Sequence, residues 1–80
     1  MANDGLRFGE VKIEKKIVDG INGFCYMIRK SETREQAEQI FDLVEDLCIK
    51  NNWRGLKGMW IMQQLNTAYE ETFPWSEEDL

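Results

Sequence analysis

Five carboxylates, Glu35, Glu38, Asp42, Glu45 and Asp46, recur at intervals of one helical turn, and the only basic residues from 34 to 50 are Arg34 and Lys50 at the two ends. On a helix they form a ridge of like charges, with neighbours about 5 to 6 Å apart. Two chemistries are open to such a ridge. Acid–base catalysis needs a carboxyl whose pKa is raised by an apolar setting, and none of these sits in an apolar segment; Asp42 and Asp46 border the apolar stripe from its solvent side. Binding needs only the charge. A carboxylate row can meet the Lys and Arg of a nucleic-acid-binding protein, compete with its phosphate ligand and speed the encounter. An ordinary solvated helix would intersperse lysines for i,i+4 pairs, which this stretch forgoes.

Other chemistry is excluded by missing residue types. There is no His, so neither a Ser-His-Asp nor a Cys-His arrangement can be built, nor the usual Cys/His zinc site. Cys25 and Cys48 are 23 positions apart with no C-x-x-C, and they read as reduced core thiols. No catalytic residue, metal or cofactor is assigned, and the chain is expected not to be an enzyme.

A second candidate set is basic. Lys12, Lys15, Lys16, Arg29 and Lys30 crowd the first part of the chain, and Arg54-Gly55-Leu56-Lys57-Gly58 has the G-x-x-G spacing with which KH modules clamp single strands. A KH loop follows a short helix and returns to a strand, so a helix–helix turn needing two permissive glycines is preferred. Lys15, Lys16, Arg54 and Lys57 are the nucleic-acid contacts of the alternative reading. Among Trp53, Trp60 and Trp75, Trp75 is the candidate exposed anchor, since it follows Pro74 beside the acidic end.

The whole chain has 80 residues, 42% of them hydrophobic, with a net charge of −5. That suits one small domain over residues 1–80 with flexible ends at 1–5 and 76–80, and leaves little room for an enclosed substrate cavity. Residues 1–30 carry six basic and four acidic side chains, whereas residues 31–80 carry four and eleven. No apolar run approaches the ~18 residues of a membrane span, and a cytoplasmic location without membrane contact is expected.

These residues need elements to position them. Alternation through Glu10-Val11-Lys12-Ile13-Glu14, followed by Asp19-Gly20 and Asn22-Gly23, predicts a β-hairpin whose second strand is Gly23 to Arg29. A third short strand at residues 5–9 is conceivable. Ser31 or Thr33 offers a helix N-cap, Thr33 with Gln36 in a capping-box pattern, and Ala37, Ile40, Phe41, Val44, Leu47 and Cys48 form one helical stripe that Asn51-Asn52 should end. A second helix follows from about Lys57 to Glu71, stopped by Pro74. Its turn Met59-Trp60-Ile61-Met62 is apolar all round, which suggests wedging in the core or a homodimer through Met59–Met62.

The expected fold is therefore α+β in the order ββαα, a hairpin packed on two antiparallel helices. Its core is predicted from Val11, Ile13, Ile17, Phe24, Tyr26, Ile28, Ile40, Phe41, Val44, Leu47, Trp60, Ile61 and Leu65. The expected function is that of a small acidic protein-binding protein, a stoichiometric inhibitor or adaptor on a basic surface of nucleic-acid-handling machinery. Its partner-binding residues would be Glu35, Glu38, Asp42, Glu45, Asp46 and Trp75. In size and charge it has the general look of small phage or mobile-element anti-defence proteins, anti-CRISPR proteins and DNA mimics among them; the likeness is one of type and rests on no shared motif.

Overall fold

A computed structural model describes residues 5–74. The expected Trp75 anchor and the end at 76–80 lie outside the described residues, as do residues 1–4; Gly5, expected in a flexible end, begins the first strand.

Alternating side chains make a hairpin, but it closes earlier than predicted. Strand β1 (Gly5–Phe8) pairs antiparallel with β2 (Val11–Glu14), from Gly5 opposite Glu14 to Phe8 opposite Val11. The two-residue loop is Gly9-Glu10. Gly9 has φ +63° and Glu10 has no positive φ, which is the glycine-first pattern of a type II′ turn and matches the twist of a hairpin. Ile13, fully buried, points from β2 into the core, while Lys12 and Glu14 face out.

The expected second strand is instead helix α1 (Lys15–Arg29), so the order is ββααα with three helices rather than two. Ile17, Ile21, Cys25 and Ile28 are its buried residues, and their spacing is that of a helix face. Within the predicted strand, the alternation of Phe24, Tyr26 and Ile28 is coincidental: Tyr26 is 61% exposed and does not belong to the core. Gly20 and Gly23, read as turn residues, sit on this helix with nothing within 4 Å of where a Cβ would stand. Each costs about 1 kcal/mol of helix stability relative to Ala, and burying one isoleucine contributes roughly 1.5–3 kcal/mol. Burial of the isoleucine face therefore outweighs two glycines.

Helix α2 (Arg34–Lys50) begins as its sequence predicts. Thr33 caps it, its Oγ1 accepting from the Gln36 amide at 3.2 Å, while the Gln36 side chain accepts from the Glu32 amide at 2.8 Å. Its end is a Schellman arrangement. Asn52 takes the left-handed conformation (φ 58°), the Trp53 amide donates to the Cys48 carbonyl at 2.8 Å, and the Asn52 amide donates to that of Ile49 at 3.3 Å.

Helix α3 (Leu56–Thr72) follows after Gly55, whose φ of 66° favours glycine. At Gly58 a Cβ would come within 3.1 Å of the Trp53 carbonyl oxygen, so this glycine lets the connection fold closely over the first turn of α3. The G-x-x-G spacing thus serves a helix–helix corner.

The core runs through Ile13, Ile17, Ile21, Ile28, Ala37, Ile40, Val44, Trp60, Ile61, Leu65 and Ala68. Of the other predicted core residues, Val11, Phe24, Phe41 and Leu47 are only half-buried. Helix α1 lies mainly on α3, and α2 packs chiefly on α1 and more lightly on α3. The Arg29 guanidinium on α1 meets Glu71 on α3 at 2.9 Å, an exposed pair contributing at most about 1 kcal/mol. Phe41, Tyr69 and Phe73 form a chain of rings, with centroids 5.7 and 5.6 Å apart, that joins α2 to the end of α3. No described helix is long and apolar enough to cross a membrane.

Candidate functional site

Helix α2 turns Ala37, Ile40 and Val44 inward, and the opposite side must therefore carry Glu35, Glu38, Asp42, Glu45 and Asp46. All five carboxylates are exposed. The ion pairs Lys15–Asp19 and Arg29–Glu71 draw on none of them. Glu38 has a side-chain partner on another described element, the Tyr69 hydroxyl, which donates at 3.5 Å. The structure thus brings together the five helical members of the predicted partner-binding set as one ridge. At such spacings they repel one another, and an incoming cation relieves that repulsion.

One residue of this face was missed from sequence. Glu35, Glu38, Asp42, Glu45 and Ile49 follow intervals of three, four, three and four, so Ile49 continues the acidic row. It is 74% exposed. The signal was present, an isoleucine in the register of the polar face. Reading for the buried stripe passed over it.

Around Ile49 the surface becomes concave. Glu45, Cys48, Ile49, Asn52, Trp53 and Arg54 line an open hollow of about 490 Å³. A second hollow of about 360 Å³ shares Glu45, Cys48 and Trp53 with the first and continues to Met59 and Met62 at the start of α3. Met59 is 60% exposed and Met62 is half-buried, while Trp60 and Ile61 between them are core residues. The turn that was apolar all round is thus divided between core and surface. The Cys48 thiol is half-buried, and its pKa is raised by that burial and then by the nearby Glu45 carboxylate. The thiol therefore stays protonated at neutral pH and lines both hollows.

The alternative nucleic-acid set is less well assembled. Lys15 and Lys16 begin α1 instead of lying on a strand, and Lys15 is taken up by Asp19 at 2.7 Å. Arg29 and Lys30 stand at the far end of α1, so Lys12 alone of that basic cluster is on a strand. Arg54 donates to the Asn52 side chain at 2.6 Å, and Lys57 is half-buried in the first turn of α3. Lys16 and Arg54 do each share a hollow with Trp53.

Every described carboxylate is exposed, and no described charged side chain is buried. No group of described residues could hold a metal ion. No family model, curated protein or solved structure matches this chain.

Proposed function

We propose that this chain is a small non-enzymatic binding protein that sets the acidic face of α2 against a basic surface of nucleic-acid-handling machinery and acts stoichiometrically, as an inhibitor or adaptor. A single observation carries the reading: five carboxylates are held on one exposed face by a capped helix, and the ion pairs Lys15–Asp19 and Arg29–Glu71 among the described residues do not use them. Such a face presents charge at nearly fixed spacing with little ordering cost, which favours rapid capture of a cationic partner. The type of role is that of small phage or mobile-element proteins that block a host enzyme.

The experiment is a pull-down from lysate with and without nuclease, followed by binding kinetics on the purified partner. Recovery of one protein that survives nuclease, with an on-rate that falls when Glu38, Asp42 and Glu45 are reversed to Lys, supports the reading. An unchanged on-rate at low salt removes the α2 face from it.

A second reading is favoured by Lys16 and Arg54 bordering Trp53, since an aromatic ring flanked by cations suits a stacked base and its phosphates. It requires affinity for a single-stranded oligonucleotide that declines steeply with salt, and no binding at low ionic strength ends it.

A further inference from the structure

We infer that the partner segment seated on this protein is a basic amphipathic helix, whose apolar side enters the groove lined by Cys48, Ile49, Trp53, Met59 and Met62 while its cationic side lies along the acidic row of α2. This rests on the reading of α2 given above and names the chemistry of what that face takes. The two hollows, one bordered by Ile49 and the other by Met59, share Cys48, Trp53 and Glu45 as lining. Two of the most exposed large apolar side chains of the fold, Ile49 and Met59, stand at this groove. A purely electrostatic face has no use for them, and in water they are a solvation cost.

Charge selects the occupant. The acidic row runs into the groove without a break, since Glu45 belongs to both the row and the hollows, and Ile49 is the next position of the row. Glu45 is the carboxylate that lines both hollows, Arg54 lines the first, and a ligand that extends from the groove along the row gains by carrying Lys or Arg beside its apolar residues. A second copy brings the same negative charge rather than a complementary one. The chain has a net charge of −5, and two such faces would oppose acidic row to acidic row. The methionines suit an apolar occupant of loose sequence, because an unbranched thioether adapts its shape to what it meets.

The test uses the full chain and three probes at low salt: a Leu/Lys peptide of about 14 residues with leucines at helical spacing, a peptide of the same composition with the leucines scattered, and decalysine. Calorimetry reads affinity, and the methyl NMR signals of Met59 and Met62 read location. The wild-type chain should bind the amphipathic peptide about tenfold tighter than the scattered one, the gain expected from partly burying the exposed apolar side chains. Only the amphipathic peptide should move both methionine signals.

Ile49→Ser with Met59→Ser changes two exposed side chains, leaves the core in place and should abolish that preference. The triple variant with Glu38, Asp42 and Asp46 reversed to Lys, none of which lines the hollows, should weaken both Leu/Lys peptides while leaving their order. Equal affinity for the two peptides, or a preference that survives the double variant, overturns the groove but spares the acidic face. Unchanged binding in the triple variant overturns the acidic face instead. A concentration-dependent doubling of mass that the double variant abolishes gives the groove to a second copy and also overturns the inference.

Discussion

The Tyr69 hydroxyl on α3 reaches Oε2 of Glu38 on α2 at 3.5 Å, while the same ring meets Phe41 edge to face, with centroids 5.7 Å apart and planes at 83°. One side chain therefore braces the helix that carries the acidic row and touches a member of that row. Its two roles separate by substitution. Tyr69→Phe keeps the ring and should change stability by less than about 1 kcal/mol, because only a long, exposed hydrogen bond is lost. Tyr69→Ala removes the ring from between Phe41 and Phe73 and should cost about 2 kcal/mol or more in chemical denaturation. Similar losses in both variants would mean that the ring chain does not hold α2.

Salt dependence should follow the acidic face of α2. Raising ionic strength from about 0.05 M to about 0.5 M shortens the Debye length severalfold, and association of the wild-type chain with a basic partner of the proposed kind should slow accordingly. The Glu38, Asp42 and Glu45 reversal should show a much flatter dependence with an unchanged helical circular dichroism spectrum. Glu35 is left in place because it lies in the first turn of α2, where its charge favours the helix by about 0.3–1 kcal/mol. A steep salt dependence in the reversed variant would shift the binding charge elsewhere.

The glycines test the fold directly. Gly20→Ala and Gly23→Ala fill open space on the solvent side of α1, and each should stabilise by up to about 1 kcal/mol. Gly55→Ala, at positive φ, and Gly58→Ala, against the Trp53 carbonyl, should each destabilise. Thermal melts decide the matter. Destabilisation by both Gly20→Ala and Gly23→Ala is what a hairpin turn at these residues would give.

The two thiols should differ in access and agree in sign. Burial raises the pKa of Cys25, with a smaller opposing effect from Arg29, and burial followed by Glu45 raises that of Cys48. In the native chain a thiol reagent should label Cys48 slowly at neutral pH, with a rate still climbing above the ordinary thiol value of 9.0. Cys25, which is 5% exposed and donates to the Gln64 carbonyl, should react only on unfolding. Because the folded values lie above those of the unfolded chain, this contribution to stability is intact below pH 9.0 and is lost as pH rises through the folded values. Melts at about pH 7 and about pH 10 should show a smaller alkaline loss in a Cys25→Ala, Cys48→Ser variant than in the wild type.

Local chemistry was the most legible part of the chain. The Thr33 cap, the buried stripe of α2, its stop at Asn51-Asn52 and the exposed carboxylates are set by side chains within a few residues of one another, so sequence spacing carries them. The stretch from Lys15 to Arg29 was not legible in that way. Its Asp-Gly and Asn-Gly pairs carry a strong local turn signal, and its residues fit an alternating pattern as well as a helical one. What decides between them is the apolar surface of α3, against which a helix buries Ile17, Ile21, Cys25 and Ile28 together.

By itself, then, the sequence determined the acidic helix, the absence of histidine chemistry and the early alternating strand, because each depends on residue type and short-range period. Only the tertiary structure decided that the glycine-containing segment is a helix, that Gly9 makes the turn and that Ile49 and Met59 border two hollows with Cys48 and Trp53 in common. Those outcomes depend on which surfaces meet. Burial against α3 exceeds the local cost of two glycines, and the turn from α2 into α3 sets Ile49 at one hollow and Met59 at a second, with Cys48 and Trp53 lining both.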